Sequence, residues 1–229
     1  MKIFVTGGTG YIGSHTVVEL QKNGYDVIIA DNLVNSSMDV LDGIEKISGI
    51  RPEFEEIDLT DGEVTRDFFA RHSDIRAVIH FAALKAVGES VNKPLEYYFN
   101  NLNSLMNVLT CMREFKVPNL VFSSSCTVYG QADVLPVTEK TPRHEAESPY
   151  GNTKVMSEDI IRDLMRVEPD MKALALRYFN PIGAHPTAFI GELPNGLPNN
   201  LIPYLTQTAI GIREQLSVFG DDYNTPDGS

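Results

Sequence analysis

The sequence predicts an α/β fold, with a doubly wound parallel sheet of the Rossmann type followed by a loop-rich C-terminal lobe. Short apolar segments rich in β-branched residues alternate with longer amphipathic stretches along most of the chain. A glycine-rich turn follows the first apolar segment, and after about Pro181 prolines and glycines interrupt any regular period. Parallel strands need a crossover connection, usually a helix, so the alternation indicates a parallel sheet covered by helices on both faces.

The predicted strands are brief and mostly apolar on both faces, as in a sheet that helices cover on both sides. They span Ile3–Thr6, Val27–Ala30, Glu53–Ile57, Ala77–Phe81, Leu120–Ser123 and Ala173–Tyr178. The predicted helices carry apolar residues at helical spacing and span Tyr11–Asn23, Asp61–Arg71, Leu95–Phe115 and Pro149–Val167. We expect the Rossmann domain to occupy residues 1–180. In the lobe over residues 181–229 we expect a helix at Asn200–Ile210 and a short strand at Leu216–Phe219.

Composition and charge exclude several classes of protein. The formal net charge is −12, which repels nucleic acid and anionic membrane surfaces at long range. No apolar run approaches the roughly 18 residues of a membrane helix. The two cysteines, Cys111 and Cys126, have a spacing that suits neither a metal clip nor a disulfide framework. We therefore expect a cytoplasmic protein with no metal site, no nucleic-acid partner and no membrane partner.

A glycine-rich motif begins where the first strand ends. It reads Thr6-Gly7-Gly8-Thr9-Gly10-Tyr11-Ile12-Gly13, with the spacing G-x-x-G-x-x-G. Such a turn lets the backbone approach a pyrophosphate, and the helix after it directs its free amides at the charge. Asp31, at the end of the second strand, can accept hydrogen bonds from a ribose and repels the extra phosphate of NADP. The motif predicts NAD binding; the alternatives are a simple tight turn at the glycines and a turn aspartate before Asn32.

A tyrosine and a lysine follow a helix start signal. Ser148 and Pro149 are a natural N-cap and first-turn proline, so Tyr150 and Lys154 should share one helix face at i and i+4. An ammonium beside a phenol can lower the phenol pKa towards neutrality, which predicts that Tyr150 is a general base. The alternative is a chance pair on a helix surface.

Three consecutive serines end the fifth predicted strand. Ser123, Ser124 and Ser125 lie in Val121–Gly130, at the edge of the sheet where doubly wound folds bind ligands. One of these hydroxyls could relay a proton or hold a sugar hydroxyl beside the phenol. The alternative is a solvated turn.

Taken together, these motifs resemble the extended short-chain dehydrogenase/reductase family. Longer matches carry the resemblance further, to the nucleotide-sugar epimerases within it. They are Asp31–Leu33, His80–Ser90, Lys93–Tyr98, Ser123–Gly130, Ser148–Lys154, Arg177–Pro181 and Pro198–Leu201. The resemblance covers essentially every residue of the chain.

The resemblance implies a set of site residues for NAD and for a UDP-hexose substrate. The implied catalytic residues are Tyr150, Lys154 and Ser125. The implied NAD-binding residues are Gly7, Gly10, Tyr11, Ile12, Asp31, Asn32, Asn35, Ser36, Asp58, Leu59, Phe81, Ala82, Ala83, Lys85, Asn100, Ser123, Tyr150, Lys154, Tyr178 and Phe179. The implied substrate contacts are Lys85, Ser125, Tyr150, Asn180, Asn200, Leu201 and Phe219.

The activity that the resemblance implies is the interconversion of UDP-glucose and UDP-galactose. The sugar is oxidised at C4 with bound NAD, the 4-keto sugar rotates in the pocket, and hydride returns to its opposite face. Tyr150 would take the proton, Lys154 would stabilise the phenolate and Ser125 would position the hydroxyl. We also expect a homodimer.

Family members continue beyond the Asp227-Gly228 turn, so the resemblance implies an incomplete C-terminal substrate lobe and leaves full activity open. Two alternatives follow. One is a catalytically impaired, NAD-binding short form with a sensing or scaffold role. The other is a sugar-nucleotide dehydratase, which typically needs an adjacent Asp-Glu where this chain has Cys126 and Thr127.

Overall fold

A computed structural model describes residues 1–198, 200–218, 220–222, 225–226 and 228. The chain divides into two compact units, Met1–Gly191 and Glu192–Ser229, and each is described by itself. The division after Gly191 lies beyond the domain end predicted at residue 180, because residues 181–191 pack on the first unit. The functional boundary at residue 180 stays a prediction.

The first unit is built on a parallel sheet with the strand order β3-β2-β1-β4-β5-β6. The strands are β1 (Lys2–Thr6), β2 (Asp26–Asp31), β3 (Glu53–Glu56), β4 (Ile75–His80), β5 (Asn119–Ser125) and β6 (Lys172–Tyr178). Thr6 at the end of β1 pairs with Ala30 of β2 on one side and with His80 of β4 on the other. The strand order therefore reverses at β1, which opens a crevice at the carboxyl edge of the sheet. The predicted doubly wound fold is confirmed.

Seven α-helices lie in the described residues. They are α1 (Tyr11–Lys22), α2 (Asp39–Ser48), α3 (Gly62–Arg71), α4 (Val87–Asn92), α5 (Pro94–Glu114), α6 (Pro149–Val167) and α7 (Leu201–Ala209), and a 3-10 helix spans Cys126–Tyr129. All five predicted helices are confirmed, whereas α2 and α4 were not predicted. None of the helices in the described part of the chain has the length and apolar character needed to cross a membrane.

The sheet has a hydrophobic core on each face. Successive residues of β1 alternate between them, with Phe4 in one cluster and Ile3 and Val5 in the other. Phe4 is fully buried, and its ring lies 4.5 Å from that of Phe68 on α3. Truncating a buried phenylalanine typically costs about 3–5 kcal/mol of folding free energy. Packing of helices on both faces therefore fixes the position of the carboxyl edge of the sheet, where the predicted site residues lie.

The segment 181–191 folds back over the helices that follow β1 and β2. Ile190 is buried in the same cluster as Val17 of α1 and Leu41 of α2. The Tyr11 hydroxyl donates a hydrogen bond to the Gly183 carbonyl, at 2.8 Å. This packing depends on Gly43 of α2, because a β-carbon there would lie 2.4 Å from the Phe189 carbonyl oxygen.

The strand predicted over Leu216–Phe219 is wrong for Leu216–Val218, and Phe219 lies outside the described residues. The segment has β-forming composition, but a strand also needs a neighbour to satisfy its backbone groups. Among the described residues, the sheet pairs only β1 to β6. Val218 is 80% exposed, so no apolar packing favours an extended conformation there either.

We expect Gly43→Ala to lower the free energy of unfolding by about 1–3 kcal/mol, because the added methyl group overlaps the backbone of residue 189. Gly88→Ala in α4 is the matched control, since a β-carbon at Gly88 would meet nothing within 4 Å. The control should be neutral or stabilising, because alanine favours helix over glycine. Urea unfolding of both variants checks this, and equal effects would contradict the close packing at Gly43.

Candidate active site

The glycine-rich loop joins β1 to α1 in a tight turn. Gly7 has a φ of 65°, and a β-carbon there would lie 2.8 Å from the Ala82 nitrogen. A β-carbon on Gly13 would lie 2.3 Å from the Gly7 carbonyl oxygen, so the helix can approach the loop only because this residue has no side chain. The N-cap residue of α1, Gly10, supplies no side-chain hydrogen bond to the first turn. The loop thus presents backbone and the positive end of a helix dipole at the crevice, an arrangement that suits a phosphate.

Asp31 connects the end of β2 to this loop. Its carboxylate accepts hydrogen bonds from the Thr9 backbone N–H at 3.3 Å, from the Leu33 N–H at 3.0 Å and from the Ser36 hydroxyl at 3.2 Å. Thr9 and Ser36 are themselves joined through their hydroxyl oxygens at 2.7 Å. The carboxylate predicted to face a ribose is therefore held beside the predicted pyrophosphate loop.

A cleft of about 290 Å³ lies next to Asp31, between the ends of β2, β3 and β4. Eight of the residues predicted to bind NAD line it. They are Asp31, Asn32, Asn35, Asp58, Leu59, Ala82, Ala83 and Asn100. The sequence motifs thus converge on one concave site, although they are far apart in the chain.

Helix α6 brings Tyr150 and Lys154 to the opposite side of the crevice. The Ser148 hydroxyl caps the helix by accepting a hydrogen bond from the Gly151 N–H at 3.1 Å, and Pro149 occupies the first turn. The predicted cap is confirmed. Helix α6 packs on α5 and on β5, and Gly151 and Thr153 near its start are buried.

Lys154 is only 4% exposed. Its ammonium donates a hydrogen bond to the Ser123 carbonyl at 2.8 Å and lies 5.0 Å from the centre of the Phe122 ring. It lies 5.8 Å from the centre of the Tyr150 ring. Burial lowers the pKa of Lys154 from 10.5 to about 8. The pair is therefore not an exposed surface pair.

The predicted lowering of the Tyr150 pKa is wrong for the chain by itself. Burial raises the pKa of Tyr150, a hydrogen bond with Ser125 lowers it, and the charge of Cys126 raises it. Burial prevails because an ionised phenol loses its hydration in the crevice, while the ammonium of Lys154 hydrogen-bonds to Ser123. Additional positive charge in the crevice would be needed to make the phenol acidic.

The three serines that end β5 have three different environments. The Ser123 carbonyl accepts a hydrogen bond from the Lys154 ammonium. The Ser124 hydroxyl donates a hydrogen bond to the Glu158 carboxylate at 2.6 Å. Ser125 is the N-cap of the 3-10 helix, and its hydroxyl oxygen accepts a hydrogen bond from the Thr127 N–H at 3.2 Å. Ser125 ends β5 at the sheet edge, where its hydroxyl acts on the Tyr150 phenol. Ser124 and Ser125 are buried, so the solvated-turn alternative does not describe them.

The other predicted residues of the first unit surround the same edge of the sheet. Phe81 continues from β4, and its N–H donates to the Thr6 carbonyl at 3.1 Å. Lys85 is exposed in the loop before α4. Tyr178 ends β6, and burial raises the pKa of its phenol. Phe179 and Asn180 follow it and are both exposed.

Three predicted substrate residues belong to the second unit. Asn200 is the N-cap residue of α7, and its side-chain amide donates to the Glu192 carboxylate. Leu201 is the first residue of that helix and is exposed. Phe219 lies outside the described residues. The roles of these three residues remain predictions.

Asn101 of α5 was missed by sequence analysis. Its buried amide accepts a hydrogen bond from the Leu84 N–H at 2.8 Å and donates to the Leu84 carbonyl at 3.0 Å. Its side-chain nitrogen also donates a hydrogen bond, at 3.1 Å, to the hydroxyl oxygen of Thr153. Thr153 lies between Tyr150 and Lys154 in the sequence of α6. Asn101 thus fixes the loop before Lys85 against α6. Its neighbour Asn100 was predicted, but no spacing rule distinguishes the second asparagine from the first.

His80 lies beneath the crevice at the end of β4. It is 2% exposed, and its Nδ1 lies 2.9 Å from the Thr6 hydroxyl oxygen. That oxygen also accepts a hydrogen bond from the Ala82 N–H at 3.1 Å. Burial, assisted by the charge of Lys154, lowers the pKa of His80 to about 3, so the imidazole is neutral.

A family model described as the NAD dependent epimerase/dehydratase family matches residues 3–226. The chain belongs to this family. Membership confirms the resemblance that the glycine loop and the Tyr150/Lys154 pair carry in the sequence.

Curated members of this epimerase/dehydratase family match over the whole chain. A UDP-glucose 4-epimerase of Dictyostelium discoideum is 51% identical over 228 residues, covering 100% of this chain and 66% of its own length. The UDP-glucose 4-epimerase of Bacillus subtilis is 53% identical over 229 residues, covering 100% of this chain and 67% of its own length. The chain therefore spans about two thirds of the length of these relatives.

Solved structures of the family share the fold closely. The UDP-glucose 4-epimerase from Bifidobacterium longum, in complex with NAD+ and UDP, has a TM-score of 0.97 and 46% identity. The match covers 100% of this chain and 68% of the Bifidobacterium longum enzyme. The enzyme from Stenotrophomonas maltophila, with bound NAD and formylated UDP-arabinopyranose, has a TM-score of 0.94 and 47% identity, with the same coverage.

We expect His80→Gln to reduce the loss of stability in acid. The pKa of His80 is depressed in the folded chain, so unfolding takes up a proton below pH 6.5 and stability falls as pH decreases towards 3. Between pH 6.5 and about 4.5 this group contributes a slope of up to about 1.4 kcal/mol per pH unit. Glutamine can still accept from Thr6 but cannot titrate.

Urea unfolding at several pH values measures this slope, and the exposed His144→Gln is the control. The expected result is a flatter profile for His80→Gln and an unchanged profile for His144→Gln. Parallel profiles for all three proteins would show that His80 is not a buried neutral imidazole.

Proposed function

We propose that this chain supplies the NAD-binding and catalytic part of a UDP-glucose 4-epimerase, which interconverts UDP-glucose and UDP-galactose. One observation carries the proposal: Tyr150, Lys154 and Ser125 meet at the carboxyl edge of the sheet, across the crevice from the glycine loop and Asp31. Relatives of that name at about half identity over the whole chain support it. A non-catalytic scaffold has no need for this trio.

The residues present fit NAD. Gly7 and Gly13 leave room that β-carbons would fill, Asp31 lies beside them, and the adjacent cleft of about 290 Å³ suits an adenosine. Gly7, Gly10, Tyr11 and Ile12 would hold the pyrophosphate. The ribose and adenine would contact Asp31, Asn32, Asn35, Ser36, Asp58 and Leu59. The remaining contacts would come from Phe81, Ala82, Ala83, Lys85, Asn100, Ser123, Tyr178 and Phe179.

The nicotinamide, when bound, supplies the hydride chemistry by accepting hydride from the sugar C4 and returning it. Tyr150 takes the proton of the C4 hydroxyl during oxidation and gives it back during reduction. Lys154 stabilises the phenolate from its fixed position on Ser123. Ser125, whose hydroxyl acts on the Tyr150 phenol, would position the sugar hydroxyl.

The proposed mechanism requires that the Tyr150 phenol can lose its proton. In the chain by itself burial holds the phenol pKa above its ordinary value. Oxidised NAD bound in the crevice would add positive charge to that of Lys154, and positive charge near a phenol lowers its pKa. Tyr150 would therefore become an effective base only when the crevice is loaded with the oxidised cofactor.

Elimination of water is a less suitable reaction for this site. Ser125 is followed by Cys126 and Thr127, at the start of the 3-10 helix, where a dehydratase needs carboxylate groups. The substrate would be held by Lys85, Asn180, Asn200, Leu201 and Phe219 in addition to the catalytic residues. These contacts are proposed from the resemblance alone.

A homodimer is part of the proposal. An apolar stripe with helical spacing is exposed on α5, at Leu95, Phe99 and Met106, and Phe99 is 62% exposed. Met156 on the adjacent α6 is also exposed. Exposed apolar side chains grouped on neighbouring helices favour an interaction site. We further propose a cytoplasmic location, since Cys111 and Cys126 are both free thiols.

We expect Tyr150→Phe to reduce conversion of UDP-galactose to UDP-glucose by about a hundredfold or more, because the base is lost, with NAD affinity changed by about twofold or less. The conversion is followed by product chromatography and the affinity by calorimetry. Gly43→Ala serves as a control for a merely destabilised fold.

Two outcomes would contradict the proposal. Absence of NAD binding to the unmodified chain would remove its basis. Formation of a 4-keto-6-deoxy sugar from the nucleotide sugar would identify a dehydratase instead.

We expect Phe99→Glu to convert the dimer to a monomer, because a charge in an apolar interface loses its hydration without a partner. The control is Val134→Glu, at an exposed residue in the loop before α6. Sedimentation equilibrium measures the mass of each. A dimer that survives Phe99→Glu would place the interface elsewhere.

A further inference from the structure

Glu158 lies on α6, one helical turn beyond Lys154, and only 9% of its side chain is exposed. We propose that Glu158 is a positioning residue, which fixes Ser125 against Tyr150 by tying α6 to the ends of β5 and β6. This inference rests on the proposed function for the roles of Ser125 and Tyr150. It adds a residue that does not itself touch the reacting atoms.

The Glu158 carboxylate binds both strands. One oxygen accepts hydrogen bonds from the Ser124 hydroxyl at 2.6 Å and from the Arg177 Nε at 2.9 Å. The other accepts from the Arg177 Nη2 at 2.7 Å. Charge-assisted bidentate pairs of this kind fix geometry more strongly than single neutral hydrogen bonds. The helix that carries Tyr150 is thereby tied to β5 and β6 at the level of Ser124 and Arg177.

The same contacts hold the chain on both sides of Ser125. Ser124 precedes it directly and is bound to Glu158. The 3-10 helix follows it, and the Arg177 guanidinium lies 4.8 Å from the centre of the Tyr129 ring in that helix. In the sheet register Ser124 pairs with Arg177 and Ser125 pairs with Tyr178. A shift of the carboxylate therefore moves the strand before Ser125 and the turn after it.

The charge of Glu158 is required as well as its shape. Its pKa is lowered although burial alone would raise it, because Arg177, Ser124 and Arg143 act on the carboxylate. The Arg143 Nη1 nitrogen is buried without a hydrogen bond in the described structure and lies 3.7 Å from Glu158. Neutralising Glu158 would remove the counter-charge of Arg177, whereas Arg143 would keep its ion pair with Asp159 at 2.7 Å.

The test uses two variants and a direct readout of the Tyr150 phenol. Glu158→Gln keeps the size of the side chain and removes its charge. Ser124→Ala removes one neutral hydroxyl and keeps every ion pair, so it provides a folded protein if Glu158→Gln fails to fold. The control is Asp163→Asn, which breaks an exposed ion pair with Arg166 on the same helix.

The readout is the pH titration of Tyr150 by NMR of isotope-labelled tyrosine ring carbons, assigned by the signal that Tyr150→Phe removes. The hydrogen bond with Ser125 lowers the phenol pKa, so both variants should raise it, by up to about one unit. In turnover of UDP-galactose, kcat should fall by about tenfold at neutral pH with little change in KM. Asp163→Asn should change neither quantity.

An unchanged Tyr150 titration in folded Ser124→Ala or Glu158→Gln would overturn the inference. A loss of thermal stability with an unchanged titration would assign Glu158 a purely structural role. Failure of the proposed function is a separate result, since it appears as absent NAD binding or absent epimerisation in the unmodified chain. The titration of Tyr150 can be measured in either case.

Discussion

The buried ammonium of Lys154 is the constraint around which the Tyr150 side of the crevice is arranged. Moving an ammonium out of water costs several kcal/mol, so a folded protein retains one only where partners compensate. Here the Ser123 carbonyl lies 2.8 Å away, and the faces of Phe122 and Tyr150 are within cation–π range. The same charge disfavours a proton on His80 below. A fixed positive charge is thereby held beside the phenol that the mechanism requires.

The topology of the sheet brings the two halves of the site together. Strand order reverses at β1, so the loops after β1, β2 and β4 surround one side of the crevice. The end of β5 and the first turn of α6 form the other side. The buried Asn101 amide joins the two halves, because it binds both the Leu84 backbone and Thr153 of α6. Thr6 ties β1 to β4 within the first half, through His80 and Ala82. The residues proposed to bind the cofactor and to act on the sugar therefore lie along one edge of the sheet.

Sequence patterns predicted the fold and a set of site residues that the structure brings to one edge of the sheet, for physical reasons. Strands buried on both faces are recognisable as short apolar runs, and Ser148 and Pro149 mark the start of α6 locally. Helix α2 was missed because Gly43 interrupts its helical sequence pattern. A glycine is needed there because the Phe189 backbone packs against it, and the local sequence does not reveal that distant contact. The Glu158 network joins residues 124, 143, 158 and 177, which no local spacing connects. The pKa of Tyr150 depends on burial, which a pair of residues at i and i+4 does not reveal.

The most direct test is the pKa of the Lys154 ammonium in the folded, ligand-free chain. Nitrogen-labelled lysine observed by NMR gives this value, and the Lys154 signal is identified by its loss in Lys154→Met. A buried ammonium at the crevice predicts a pKa of about 8. A value near the ordinary 10.5 would mean that Lys154 is solvated, and the proposed arrangement of the catalytic residues would then be wrong.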